Sequence, residues 1–275
     1  MPAGRLVVCP TPIGNFEDVT LRVLSALREA DVVACEDTRR TGKLLERYGV
    51  RAALVSYHEH NEEARAAQLV ERMRAGETVA LVSDAGMPLI SDPGYVLVRA
   101  CVGAGLPVEV LPGPSAAVAA LVASALPADS WRFVGFLPRR KGALREVLGS
   151  GDGTLVAFES PRRLRATLAV LAEIDPSRPA AVCRELTKVH EEVVRGTAAE
   201  LAERYASEEP RGEVVLVVAG AEPSGGDGPS AEAVDALAKL VEAGAKARPA
   251  AAVVAGLTGA SANSLYRAFT QRGGG

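Results

Sequence analysis

TVALVSDAGMPLISDPG, Thr78 to Gly94, is the stretch whose reading decides the fold. Thr78 to Val82 is a short apolar run, of strand length and too short for a helix. Pro93 to Ala104 has the look of a helix. Between them, Ser83 to Gly94 packs two Gly, two Pro, two Asp and two Ser into one crossing from strand to helix. Ordinary crossings of this kind take about two to six residues. Gly lets a backbone come close to a ligand, Pro stiffens a loop, and Ser and Asp bring donors and acceptors. A plain loop, capped by Asp92 with Pro93 at the first helical position, accounts for Asp92-Pro93. It leaves Ser83-Asp84-Ala85-Gly86 without a purpose, and a ligand supplies one.

The same alternation runs on both sides of this stretch. Arg5 to Cys9, Ala30 to Cys35, Ala52 to Val55 and Pro107 to Leu111 are further short apolar runs, each followed by a helical pattern. Thr20 starts a helix with Leu21, Leu24 and Leu27 on one face, Gly49 stops the next, and Asn61 caps a third that ends at Gly76. Uninterrupted strand-helix alternation predicts a parallel sheet with helices on both faces. The helix-to-strand turns are plain. The strand-to-helix loops carry nearly all the Pro, Asp, His and Asn of the region: Pro10–Asp18, Glu36–Lys43, Ser56–Glu63, Ser83–Gly94 and Pro112–Ala116. All of them leave the carboxyl ends of the strands, where open parallel sheets bind ligands. Five polar loops on one edge describe a single site.

Leu126-Pro127 reads as a hinge. Beyond it, Trp131–Gly135, Thr154–Phe158, Pro179–Cys183 and Glu213–Ala219 read as strands of a second, mixed sheet, with Ser160-Pro161 opening a helix to Ala172. Gly220–Ser230 is a linker by composition. The tail reads as three helices, the last two arranged as helix, Gly turn, helix. The expected division is 1–117, 118–221, a linker over 222–230 and a helical tail over 231–275, an α/β protein with a small helical appendage.

The chain is long enough for two domains, and its 48% hydrophobic content with few aromatics suits a Val/Leu/Ala core. A net charge of −3 leaves any nucleic-acid contact to local basic patches. Cys9, Cys35, Cys101 and Cys183 are scattered, which predicts buried free thiols in a reducing compartment. The His58/His60 pair has no Cys neighbours, so no zinc pattern is present. No apolar run approaches a membrane span, and no signal peptide precedes the first strand, which predicts a soluble, cytoplasmic protein.

The motifs divide as follows. The first loop, PTPIGN, is not GxGxxG, and no Walker pattern occurs, so polyphosphate cradling is not supported. Ser115 in PGPSA is an N-cap, a ligand contact, or both. His58-Glu59-His60-Asn61 is either acid/base equipment or a surface loop opening a helix. Glu36-Asp37 with Arg39-Arg40 is either an internal ion-pair network or a substrate-facing group. Three basic clusters recur: Arg39-Arg40-Lys43, Arg139-Arg140-Lys141 and Arg162-Arg163-Arg165. A charge run is usually a solvated face, but three runs expected around one cleft suit phosphate contacts.

These residues together carry a resemblance. CPTPIGNFEDVTLR, CEDTRRTGKLL, SYHEHNE, LVSDAGMPLISDPG, VLPGPSA, FVGFLPRRKG, FESPRR, RELTKVHEE and RGEVVLVV occur in this order between Cys9 and Val218. The set resembles the small-subunit ribosomal RNA methyltransferase I family, a branch of the tetrapyrrole-methylase superfamily. The resemblance implies a two-domain tetrapyrrole-methylase-like fold, a parallel-sheet N-terminal domain followed by a mixed-sheet one. It implies S-adenosyl-L-methionine in the cleft between them, and 2′-O-methylation of a decoding-centre cytidine in 16S rRNA of the small ribosomal subunit by a homodimer. Carried over by position, the cofactor contacts would be Pro12, Ser83, Asp84, Ala85, Gly86, Ser91, Asp92, Ser115 and Ala116. Phe158, Leu186, Val214 and Val215 would close over the adenine. A ribose hydroxyl is a weak nucleophile at neutral pH, so a base is expected, with Asp37, His58 and Glu159 as candidates. Arg39, Arg40, Lys43, Arg139, Arg140, Lys141, Arg162 and Arg163 would meet RNA. Two other readings stay open: a methyltransferase for a tetrapyrrole precursor on the same scaffold, and a DNA-binding regulator using the tail.

Overall fold

Four-residue strands with every side chain buried mark the middle of the first sheet. They are β1 (Leu6–Cys9), β2 (Val32–Cys35) and β4 (Val79–Val82). A strand sends alternate side chains to opposite faces, so such runs need cover on both sides. The cover is visible in the packing. Leu6, Val8, Val32, Ala34, Val79 and Leu81 face α3 (Glu62–Arg74) and α4 (Tyr95–Gly103). Val7, Cys9, Val33, Cys35, Ala80 and Val82 face α1 (Leu21–Glu29) and Leu45 of α2 (Thr38–Arg47). With the edge strands β3 (Leu54–Ser56) and β5 (Val108–Val110), the order is β3-β2-β4-β1-β5, and every pairing is parallel. The expected parallel sheet is present, and its strand-to-helix loops all leave one edge.

This computed structural model describes residues 4–151, 153–207, 210–221 and 229–272. Most of the expected linker therefore lies outside the described residues. Among the described residues, no helix is long and apolar enough to cross a membrane.

The second sheet has the order β6-β7-β10-β8-β9. β6 (Trp131–Phe136) and β7 (Thr154–Glu159) are parallel. β8 (Pro179–Arg184), β9 (Glu192–Thr197) and β10 (Val214–Val218) join by antiparallel pairs. One face packs on α6 (Lys141–Gly149), α7 (Pro161–Ile174) and α8 (Ala198–Arg204) through Leu148, Leu164, Leu168 and Leu201. The other face carries Val156, Ala181, Cys183, Val215 and Val217, and is covered by α5 (Ala116–Ser124) and Ile13. Ala117 and Ala120 let α5 sit close against the strands. That shared core joins the two sheets.

The tail forms α9 (Ala231–Glu242), α10 (Ala247–Thr258) and α11 (Ala262–Arg272) around a small core of its own. Gly259 takes the left-handed conformation at the end of α10, as a helix stop requires. Arg248 ties the tail to Asp129 at 3.3 Å.

One local expectation is corrected, and three elements are added to those expected. The strand β9 and the helices α6 and α8 were not foreseen, although Thr197 and Glu200 form a complete capping box at the start of α8. The helix after the long loop begins at Tyr95, not Pro93, and its N-cap is Gly94 at φ 140°. A Cβ at Gly94 would press on Leu89 and Leu81, so the chain turns there on glycine. Asp92 therefore does not cap the helix.

Candidate active site

Four of the five loops at the first sheet's carboxyl edge meet, those after β1, β2, β4 and β5; the loop after β3 lines neither cavity. Thr11 and Gly86 exchange backbone hydrogen bonds at 2.9 and 3.0 Å, zipping the loop after β1 to the loop after β4. The Thr11 hydroxyl donates to the Ser83 carbonyl at 3.0 Å, and the Ser83 hydroxyl donates to the Gly86 carbonyl at 3.1 Å. Asp84 reaches the loop after β2: it accepts from the Asp37 backbone N–H at 3.0 Å and pairs with Arg40 at 3.4 Å. A Cβ on Gly86, which sits at φ 79°, would lie 3.8 Å from the Pro114 carbonyl and 3.3 Å from Ile13. Ser83–Gly86 and Pro112–Ala116 are thus neighbours, as a single site requires.

Two cavities open on this rim. The larger, about 400 Å³, lies between the sheets. The first sheet contributes Ala85, Gly86, Ser91, Asp92, Ser115 and Ala116, and the second contributes Phe158, Glu159, Val214 and Val215. Ser115 heads α5 without a side-chain cap bond, which leaves its hydroxyl available to the cavity. Phe158 meets Phe133 and Phe136 edge to face, at 4.9 and 5.5 Å between centroids. Leu186 is buried beside Ile13 and Val215 and backs this wall.

The smaller cavity, about 280 Å³, is lined by Pro12, Ser83, Asp84, Arg40, Lys43 and Lys188 among others. Ile13, Ala85 and Glu213 line both cavities, so the two abut. Gly14 has no room for a side chain, because the loop between β8 and β9 lies against it at Leu186, Thr187 and Lys188. Lys188 binds Glu185 at 2.8 Å and Glu213 at 3.0 Å, which fastens that loop to the start of β10.

The expected catalytic residues part company here. Asp37 is the N-cap of α2; its carboxylate accepts from the Arg39 N–H at 2.8 Å and binds the Arg39 guanidinium at 3.0 Å. The Arg39 side chain first, and its backbone N–H second, hold the Asp37 carboxyl at about 2, well below the usual range. Such a carboxylate is a poor proton acceptor near neutral pH. Glu159 is buried, and it accepts from the Ser160 N–H at 2.7 Å, the Thr167 hydroxyl at 2.5 Å and Arg163 at 3.2 Å. That network anchors β7 to α7. His58 lines neither cavity; its backbone and ring bond Asn61.

The basic clusters do not share one cleft. Arg40 and Lys43 line the smaller cavity, while Arg39 stays with Asp37. Lys141 pairs with Glu173 of α7 at 3.2 Å. Arg163 turns inward, donating to the Leu137 and Pro138 carbonyls at 2.8 and 2.9 Å. Arg139, Arg140 and Arg162 are exposed side chains outside both cavities. Lys188 and Glu213 line the site without being expected there; Lys188 lies in RELTK, legible once β9 is known to follow it, and Glu213 lies in RGEVV at the entry to β10.

The donor set fits a cationic, partly aromatic molecule. Asp84, Asp92 and Glu213, with Glu36 outside the two cavities, give the rim negative charge, while Phe158, Val214 and Val215 offer apolar faces. No nest of glycines for phosphates is present in the first loop, PTPIGN. The size falls in the range of small-molecule sites. Among the described residues no group of three His, Cys, Asp or Glu could hold a metal ion.

Comparison with known proteins identifies the family. The profile of the Tetrapyrrole (Corrin/Porphyrin) Methylases matches residues 5–202. The chain belongs to this family. It is a methyltransferase. It is 47% identical over 279 residues to a ribosomal RNA small subunit methyltransferase I from Micromonospora olivasterospora, covering 99% of this chain and 89% of that protein. With the protein of that name from Escherichia coli O157:H7 it shares 42% over 277 residues, 98% of this chain and 96% of the other. Among solved structures it is similar to uroporphyrin-III-C-methyltransferase from Thermus thermophilus, with a TM-score of 0.54 and 27% identity over 78% of this chain and 94% of that one. A form of the Thermus enzyme complexed with S-adenosyl homocysteine superposes with a TM-score of 0.56 at 24% identity, covering 78% of this chain and 97% of that one.

Proposed function

We propose that this tetrapyrrole-methylase family member uses S-adenosyl-L-methionine to methylate ribosomal RNA, at the 2′-hydroxyl of a decoding-centre cytidine in 16S rRNA. One observation carries the reading: an apolar, acidic cavity abuts a smaller one lined by Arg40, Lys43 and Lys188. The pair suits a cationic donor beside a polyanionic acceptor. The relatives' name, ribosomal RNA small subunit methyltransferase I, supports the choice of RNA.

Bound in the larger cavity, S-adenosylmethionine supplies a methyl group on a positively charged sulfur, open to attack by oxygen. The chain's own residues do the rest. The backbone of Ser83–Gly86, zipped to Thr11, forms a rigid floor, and rigidity matters because alignment of reacting atoms accounts for much of the rate. Phe158, Val214 and Val215 would take the flat apolar part of the ligand, with Leu186 behind them. Glu213 at the junction, and Asp84 in the smaller cavity beside it, favour positive charge there. Arg40 and Lys43 would hold phosphates and set the strand's register. Asp37 and Glu159 act as anchors, the first fixing α2 and the second fixing α7.

We further propose the division 1–117, 118–221 and 231–275, and a homodimer. The exposed valines Val110 on the edge strand β5 and Val118 and Val122 on α5 support a partner surface. The described cysteines are all free and buried, which suits a reducing, cytoplasmic setting.

The test is transfer of labelled methyl from S-adenosylmethionine to small ribosomal subunits lacking this modification. Label on a single cytidine ribose supports the proposal. Label only on a porphyrinoid would support small-molecule methylation instead. No label, with tight duplex-DNA binding by the tail, would point to a regulator.

A further inference from the structure

We propose that Asp92 takes the proton from the hydroxyl that is methylated, making it a catalytic residue and not a cofactor contact. The proposal rests on the methyl-transfer reading above and adds the group that reading leaves unassigned.

Position comes first. Asp92 lines the larger cavity, on the loop that meets the other loops of the rim. It is not spent on the helix that follows, since Gly94 is the N-cap. The loop presenting it holds two non-glycine residues in the left-handed region, Leu89 at φ 73° and Ser91 at φ 66°. Such conformations are strained and persist where the surroundings enforce them, often at functional sites.

Availability comes second. Among the described residues nothing donates a hydrogen bond to the Asp92 carboxylate and no cation pairs with it. The other carboxylates of the cleft are engaged. Asp84 holds Arg40 and the Asp37 N–H, Glu213 holds Lys188, and Glu159 holds Thr167, Arg163 and the Ser160 N–H. Of the cations lining the cleft, Arg40 and Lys188 pair with Asp84 and Glu213, and Lys43 lines the smaller cavity without an ion pair to Asp92.

Electrostatics comes third. The groups facing Asp92 are carboxylates: Asp84 on its own loop, Glu36 after β2 and Glu213 before β10. Burial first, and then Glu36, Asp84 and Glu213 in that order, push the Asp92 carboxyl up to about 7. Glu36 itself is raised, by burial and by Asp84, with Arg40 and His58 acting against the rise. A general base works best when its pKa lies near the working pH. Asp37, held at about 2, is a much weaker base, and Glu159 is committed to α7.

The chemistry balances. The hydroxyl oxygen gains the methyl carbon, the donor sulfur keeps the electron pair of the bond that breaks, and the hydroxyl proton passes to an Asp92 carboxylate oxygen. The proton leaves to solvent after product release.

The experiment uses the full chain with Asp92→Asn, and Asp92→Glu as the carboxylate-retaining control. Three quantities are read: S-adenosylhomocysteine affinity by calorimetry, single-turnover methyl transfer to undermodified small subunits across pH, and the Asp92 carboxyl titration by NMR in the ligand-free protein. The expected results for Asp92→Asn are an affinity within about twofold of wild type and a rate near pH 8 reduced roughly 100-fold. The wild-type rate should rise through a limb near neutral pH that the Asn variant lacks, with part of the rate returning in Asp92→Glu. A carboxyl titrating near neutrality in the ligand-free protein is expected alongside, and one titrating near 4 would overturn the proposal. So would a rate within about threefold of wild type, or a rate loss matched by lost affinity, the mark of a cofactor contact. A wild-type chain that labels no ribose ends the reading and the proposal together. An active wild type with an equally active Asp92→Asn ends only the assignment of Asp92.

Discussion

The two sheets have five strands each and opposite manners. In the first, every pairing is parallel, so all the strand-to-helix loops leave one edge. In the second, only β6 and β7 run parallel and the remaining pairs alternate, so its loops divide between both ends. The difference sets their work. The parallel sheet collects backbone turns and acids from four strand-to-helix loops into one rim. The mixed sheet offers that rim an apolar wall, Phe158 with Val214 and Val215, and one fastened loop at Lys188. Parallel topology concentrates polar chemistry; antiparallel topology presents a face.

The sharpest way to break this division is to damage the rim alone. Asp84→Arg removes the acceptor for the Asp37 N–H, sets a guanidinium beside Arg40 and reverses a charge facing the ligand. Affinity for S-adenosylhomocysteine should fall at least about 100-fold by calorimetry, with thermal unfolding still cooperative. Unchanged affinity would detach the rim from the site.

The second sheet should answer differently. Glu159→Gln weakens the anchor to Arg163 and Thr167 behind the wall, in a side chain with no solvent exposure. The chain should lose about 2 kcal/mol of stability in denaturant unfolding, while S-adenosylhomocysteine binds within about twofold of wild type. A variant of normal stability and poor affinity would make Glu159 a ligand contact instead.

Smaller still is the effect of one phosphate contact. Lys43→Ala should weaken RNA binding about threefold to tenfold and lower the slope of log affinity against log salt by about one, leaving the cofactor site untouched. Lys141→Ala, whose amine pairs with Glu173, should leave that slope unchanged. Equal slopes for both variants and wild type would remove the smaller cavity from the RNA path.

The mildest prediction concerns stability and pH. Asp92 has its folded-state pKa raised from 3.8 to about 7, so the folded chain binds this proton more tightly than the unfolded chain does. Its contribution is full below the unfolded value and is lost as pH rises through about 7. Asp92→Asn should therefore match wild type near pH 3.5 and be more stable near pH 8. The gain is about 1–2 kcal/mol once partial solvent access is discounted. Melting curves at the two pH values check it, and equal differences at both would remove the buried charge from the account.

Much of this architecture was legible in the chain. The runs Thr78–Val82 and Arg5–Cys9 are too short and too apolar for anything but central parallel strands, and the loop composition marked the working edge. The rest was hidden for physical reasons. β9 is a half-buried edge strand whose polar ends pair sideways, Glu192 with Arg184 at 3.2 Å, so no apolar run announces it. Asp92-Pro93 has the residues of a helix start, but Leu89 and Leu81 crowd Gly94 and the helix waits until Tyr95. Three basic clusters read alike in one dimension; in space Arg163 is spent on carbonyls and Glu159, and Lys141 on Glu173. The environment of Asp92 comes from Asp84 on the same loop and from Glu36 and Glu213, the last two brought near only by folding.

The central claim is that one ligand sits between the rim of the first sheet and the wall of the second. Crystals grown with S-adenosylhomocysteine measure it directly. The account predicts the ligand in the larger cavity, its base against Phe158 and Val215 and its sulfur toward the junction at Ile13, Ala85 and Glu213. Density for the ligand elsewhere, or touching residues of one sheet alone, would contradict it.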